Sequence, residues 1–176
     1  MRATETRSPQ NQNFLQQDGF LFVIKKCPTA VFFTQKLSIP GLTIPPTEHP
    51  TPFVKIPIAG DHIEYEDLSF DFKVDEDLKN WNELYKWMTG QGYPEEHAEY
   101  KELAKQPKWS GDGLVSDISV IPTTNLKNPN VEIVFKDAFP MYLSGFDFEV
   151  TSDGVMYATA TTTFKYLKFE INVLPK

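Results

Sequence analysis

The sequence predicts a mainly β chain, an antiparallel β barrel or sandwich with one packed α-helix over about residues 75–90 and a short second helix over about 94–105. Three observations carry this. Stretches of period-two alternation recur along the chain, the last running from Val155 to about Val173. Aromatic residues make up 14% of the chain, 14 of them Phe, a content suited to packing between sheets. Within residues 58–90 a strand pattern passes directly into a helix pattern, so that the helix can lie back across the sheet.

In chain order, residues 1–18 are polar with few apolar anchors and predict a mobile N-terminal arm. Residues 19–176 then form a single domain, a size that buries a real core. Phe20, Phe22 and Ile24 alternate with Leu21 and Val23, a strand apolar on both faces and therefore expected in a central or doubly covered position. Pro28 breaks it. Residues 31–39 predict a second strand, Pro40-Gly41 a turn, and residues 44–61 a segment whose five prolines cannot supply the amide protons of an interior strand. Two readings of that segment stand. It is a stiff connector, or it is a pre-extended contact arm that loses little entropy on docking and offers Phe53, Val54 and Ile56 to a neighbour.

Leu68, Phe70, Phe72 and Val74 alternate with polar residues, and from Asp75 the apolar positions Leu78, Trp81, Leu84, Tyr85 and Met88 recur at three- and four-residue steps as the core face of a helix. Asp75 or Asp77 is the expected cap and Gly90 the expected left-handed stop. Beyond a polar loop, strands are predicted over 115–121, 131–135, 138–143 and 146–150, with turns through 125–130, at Ser144-Gly145 and at Ser152-Asp153-Gly154. The last strand exceeds the usual length, which a bend near Leu167 would explain.

A net charge of −7 disfavours non-specific attraction to nucleic acid or an anionic membrane. Cys27 is the sole cysteine, which excludes an intrachain disulfide and a cysteine zinc site; a small buried hydrophobe is expected. No apolar run reaches membrane-spanning length and the N-terminus does not read as a signal peptide, so a soluble protein made in the cytoplasm is expected. No enzyme constellation stands out and no cofactor or metal is called for. The carboxylate run Asp61, Glu64, Glu66, Asp67, Asp71, Asp75, Glu76 and Asp77 raises a Ca²⁺ or paired-carboxylate site, but its spacing fits a solvated strand face and a helix start better. His49, His62 and His97 are isolated, and the Ser-Gly and Asp-Gly pairs lack the strand-to-helix setting of a nucleophile elbow.

The successions Ile56-Pro57-Ile58-Ala59-Gly60-Asp61, Ile63-Glu64-Tyr65-Glu66-Asp67-Leu68 and Phe72-Lys73-Val74-Asp75-Glu76-Asp77-Leu78-Lys79-Asn80-Trp81, with Phe135-Lys136-Asp137-Ala138-Phe139-Pro140 and Leu143-Ser144-Gly145 later on, resemble the tail completion and sheath stabiliser proteins, or tail terminators, of T-even-type contractile bacteriophages and cyanophages. The resemblance spans about residues 20–170. It implies a tail-tube-type fold and a structural, non-enzymatic virion protein. The expected assembly is a homo-oligomer, a hexameric ring on the head-proximal end of the tail tube. The implied partners are the tail tube and sheath proteins and the neck or head-completion proteins, with genomic DNA passing through the lumen without specific binding, and no membrane. Candidate contacts between subunits are Phe53, Val54 and Ile56 in the arm and Phe164, Tyr166 and Phe169 on the last long strand. A tail tube subunit or tube initiator of the same fold stays open as an alternative, and a carbohydrate- or metal-binding β sandwich is the alternative from another class.

Overall fold

The computed structural model describes residues 13–15, 17–92, 101, 105, 113–149 and 156–174. In chain order the elements are β1 (Phe20–Ile24), α1 (Pro28–Phe32), β2 (Thr34–Ser38), β3 (Leu42–Thr43), β4 (Thr47–Pro50), β5 (Lys55–Ile58), β6 (Glu64–Tyr65), β7 (Leu68–Lys73), α2 (Lys79–Gly92), β8 (Ser116–Pro122), β9 (Val131–Leu143), β10 (Thr159–Lys165) and β11 (Lys168–Val173). The expected mainly antiparallel β architecture with one long packed helix is present.

Strand β9 organises the sheets. Its first half pairs with β8 on one side and β11 on the other, and its second half pairs with β10, giving the order β1-β8-β9-β10-β7-β2. Residues 131–135 and 138–143, expected as separate strands, are therefore one 13-residue strand. It changes direction at Asp137, whose φ of 52° is a left-handed conformation and marks an irregularity that bends the ladder. Asp117 of β8 holds this corner, accepting from the Asp137 amide and from Lys136 Nζ, both at 3.1 Å. Opposite it the Leu167 amide donates to the Lys136 carbonyl at 3.0 Å. The long last strand accordingly divides into β10 and β11 around Leu167, where the bend was expected.

Two layers result: β1, β8, the first half of β9 and β11 face the second half of β9, β10, β7 and β2. Alternate residues of each meet between them. Leu68, Phe70 and Phe72 of β7, Phe164 of β10, Phe135 of β9, Ile118 and Val120 of β8 and Phe22 and Ile24 of β1 are buried. Phe22 crosses to Phe70 with ring centroids 4.8 Å apart and an edge-on geometry, the arrangement that aromatic quadrupoles favour.

Helix α2 packs against this core by a face different from the expected one. It starts at Lys79, after Leu78 at φ 57°, and its buried residues are Asn80, Leu84, Trp87 and Gly90. Of the expected stripe, Leu84 is buried and Trp81 and Met88 are half-buried, whereas Tyr85 is 47% and Leu78 40% exposed. Asn80 sets the rotation. Its Nδ2 donates to the Lys73 carbonyl at 2.7 Å and its Oδ1 accepts from the Asp75 amide at 3.1 Å, so the β7-to-α2 join rests on a buried amide where an aspartate cap was expected. Asp77 pairs instead with Lys79 Nζ at 2.6 Å. Gly90 lies buried inside the helix, which runs on to Gly92, so it is not the stop. Trp87 fills the space beside Phe164, ring centroids 5.7 Å apart, and its Nε1 donates to the Leu114 carbonyl at 3.0 Å.

Two further expectations change. Pro28 opens helix α1, where a proline loses no needed hydrogen bond, so strand β2 begins only at Thr34. The short helix is tied to α2 by Glu83, which accepts from Thr29 Oγ1 at 2.7 Å and from the Thr29 amide at 3.2 Å. Strand β1 is an edge strand, not a central one, and its outer residues Leu21 and Val23 are 53% and 46% exposed. Its second apolar face is therefore uncovered by the described residues. Residues 146–149 are not in a strand. Val150, the turn at 152–154, residues 1–12 of the arm and, apart from the helical Lys101 and Lys105, the second helix at about 94–105 lie outside the described residues.

Trp87→Ala is expected to cost about 3–5 kcal/mol, the range for a large buried aromatic, while Tyr85→Ala costs under about 1 kcal/mol. Urea unfolding of the two variants checks the corrected helix face; the reverse order would restore the original one.

A candidate assembly surface

The proline-rich stretch is an outstretched β ribbon. Strands β4 and β5 pair from Thr47 with Ile58 to Pro50 with Lys55, and at the base β3 pairs with β6. Every residue of β3, β4 and β5 is exposed. Prolines sit within β4 and β5, tolerated because each strand has a free edge. The reading as an extended arm or edge holds, in the form of a hairpin.

Local chemistry fixes its shape. Glu66 closes the base reciprocally: its amide donates to the Gly41 carbonyl at 3.2 Å and its carboxylate accepts from the Gly41 amide at 3.0 Å. At Gly60 a Cβ would lie 2.1 Å from the Pro45 carbonyl oxygen, so the two limbs meet there only with glycine. Lys55 and Glu48 pair across the ribbon at 2.6 Å, and at the tip the Thr51 amide donates to the Val54 carbonyl at 3.1 Å.

This hairpin carries an exposed apolar set. Phe53 at the tip is 98% exposed, and Val54, Ile56, Ile58, Ile44, Leu42 and Ile63 are exposed as well. Phe53, Val54 and Ile56 were read from the sequence. The other four were missed, because single apolar residues between prolines carry no period.

The remaining candidates separate. Phe164 is fully buried between the layers and Tyr166 nearly so, its hydroxyl donating to the Glu66 carbonyl at 2.9 Å; both belong to the core and cannot be contact residues. Phe169 is half-buried against Tyr65, Phe135 and Tyr166. Beyond it Ile171 and Val173 of β11 are exposed. They sit at the open end of the first layer, and Ile171 borders a shallow groove of about 370 Å³ also lined by Phe14, Leu15, Pro122, Val131 and Ile133. In the seven-stranded sheet, β1, β2 and β11 each have one margin that pairs with nothing among the described residues.

Several carboxylates of the acidic run have local partners of their own. Asp61 contacts His62 Nδ1 at 2.9 Å, which lowers its carboxyl below the usual range, Asp67 pairs with Lys165, and Asp71 accepts from Thr161 Oγ1 at 2.7 Å. Among the described residues no group of three or more His, Cys, Asp or Glu side chains is placed to hold a metal ion. His49 and His62 lie on the exposed hairpin, and His97 is outside the described residues. Cys27 is buried, and burial pushes its thiol up to about 12. It behaves as the expected small hydrophobe.

No protein-family model matches the chain. It is 30% identical over 163 residues to the tail tube terminator protein of Enterobacteria phage T4, covering 87% of this chain and 86% of that protein. Among solved structures it is similar to the tube terminating cap of the anti-feeding prophage, with a TM-score of 0.64 and 15% identity over 99% of this chain and 100% of the other. It is also similar to a sheath/tube terminator of an extracellular contractile injection system in its extended state, with a TM-score of 0.60 and 12% identity over 92% and 98% of the two chains.

Since Phe53 and Val54 are left exposed by the described residues, Phe53→Asp with Val54→Asp is expected to change the stability of the single chain by no more than about 0.5 kcal/mol. A loss above about 1.5 kcal/mol in chemical denaturation would show that the tip packs internally.

Proposed function

The chain belongs to the tail tube terminator family, and from that premise we propose that it forms a hexameric ring closing the head-proximal end of a contractile tail tube. It is a structural component of the virion tail and works as a tube terminator. In the proposed reading the ring ends tube polymerisation, holds the last ring of sheath, and meets the neck or head-completion proteins on its other side. Genomic DNA passes through its lumen without specific binding.

The observation that carries this reading is the hairpin from Leu42 to Tyr65. It projects from the sandwich, buries none of its strands β3 to β5, and carries apolar residues that the described residues leave uncovered. An exposed apolar set of this kind marks an interaction surface. The strand margins support the same conclusion. Unpaired edges invite uncontrolled pairing, and a closed ring uses them up between identical copies. The contacts proposed between subunits are Phe53, Val54 and Ile56 at the hairpin, with Leu21 and Val23 of the uncovered outer face of β1 added to them.

Replacing residues 47–58 by an Asn-Gly turn keeps the base pairing of β3 with β6. The variant is expected to stay folded, with thermal unfolding near that of the parent, and to remain a single copy in sedimentation where the parent forms rings. If it unfolds, the hairpin is internal structure; if it still forms rings, the contacts lie elsewhere.

A further inference from the structure

Helix α2 carries a second apolar stripe beside its buried one. Leu84 and Trp87 close the core, whereas Leu78, Trp81, Tyr85 and Met88, spaced to share one side, are only partly covered. A row of rings carries this stripe away from the helix. Tyr85 stacks on Trp81 with centroids 5.4 Å apart, Trp81 meets Phe146 edge-on at 5.9 Å, and Phe146 meets Phe148 edge-on at 5.5 Å. Phe148 at the end of the row is 86% exposed. Trp81 Nε1 donates to the Ser144 carbonyl at 3.1 Å, which fixes the row in place, so a partner docking there orders little.

Leu78 points the same way. Its φ of 57° is a conformation that glycine adopts freely and a β-carbon opposes, yet a leucine stands there outside the core cluster. Strain of this kind gathers where function uses it. The rim of the face is acidic. Glu76 and Asp77 precede Leu78 and Asp147 separates Phe146 from Phe148, all three exposed. Of the lysines on α2, Lys79 is spent on Asp77.

An aromatic surface with a carboxylate rim suits an arginine-bearing segment, because a guanidinium both stacks on rings and pairs with carboxylates. The chain has two arginines, Arg2 and Arg7. Both lie in residues 1–12, which hold one glutamate beside them and so carry a net +1, against −8 for the remainder. The arm joins the domain at Gly19, whose carbonyl accepts from the Thr123 amide at 2.9 Å, with Asp18 paired to Lys127 at 3.2 Å. Helix α2 is held at the opposite end of β8, where Trp87 reaches Leu114. The length of β8 between them is roughly 25 Å, and twelve residues of extended chain reach about 40 Å.

Resting on the ring proposed above, we infer that the N-terminal arm of one copy docks on this face of the next, with Arg2 and Arg7 seated on the aromatic row and against its carboxylates. The arm then straps each joint of the ring.

The test uses the full chain. Tyr85→Ala with Phe148→Ala, and separately Arg2→Gln with Arg7→Gln, are each expected to raise the concentration needed for half assembly roughly tenfold in sedimentation, and all four together no further than either pair, as for groups that share one contact. Tyr85 and Phe148 are exposed, so the single chain of that variant should unfold as the parent does. Copies with Ser8→Cys mixed with copies with Asn82→Cys report the contact itself, because Cys27 is buried and Asn82 is an exposed residue beside Trp81. Oxidised rings should give covalent pairs of one copy of each, and the same mixture kept as single copies should not. Assembly unchanged by either pair of substitutions, losses that add, or rings without covalent pairs would overturn the docking and leave the ring standing. A chain bearing both cysteines that closes on itself as a single copy would give the face to its own arm, and would overturn the docking likewise. A parent chain that forms no rings would remove both.

Discussion

The fold depends on one bent strand. Because β9 pairs with β8 and β11 along its first half and with β10 along its second, its ladder is shared between the two layers and both are registered on it. The bend needs a residue in a sparsely populated backbone conformation at Asp137, and Asp117 holds the corner from the neighbouring strand. Once the corner is made, β10 and β11 must divide opposite it at Leu167. The aromatic residues of β7, β10 and β1 are then brought face to face, and α2 closes the core with Leu84 and Trp87.

What lies outside that core explains the function. A domain of this size can bury its own apolar side chains, yet the described residues leave the hairpin, the outer face of β1 and the end of β11 uncovered. Covering them with further chain would have been simple; leaving them open suits a subunit whose fold is completed by its neighbours. Carboxylates that resemble a ligand cluster in sequence are separately committed to Lys165, Thr161, His62 and Lys79.

Legibility in the sequence followed local period. The passage from β7 to α2 was readable because the repeat changes from two to 3.6 within a few residues, and the arm because five prolines forbid an interior strand. The helix face was misread because apolar spacing alone cannot see that Asn80 is drawn inward by the Lys73 carbonyl, which turns Trp87 to the core and Tyr85 to water. Helix α1 was missed because five residues carry too little period, and Pro28 signals a break and a helix start equally well. Phe164 of β10 and Tyr166 just after it were placed on the wrong side, since alternation separates two faces without saying which is inside. β1, apolar on both faces, was taken for a central strand, whereas it is an edge strand whose second face the described residues leave exposed.

The central claim is that this chain ends a tube and does not extend it. Growing tubes of the cognate tail tube protein, supplied with this chain and followed by electron microscopy, test it most directly. The account predicts that elongation stops and that each tube carries the added chain as a single layer at one end. Tubes that keep lengthening with the chain built in along their walls, or polymers of the chain alone, would contradict it.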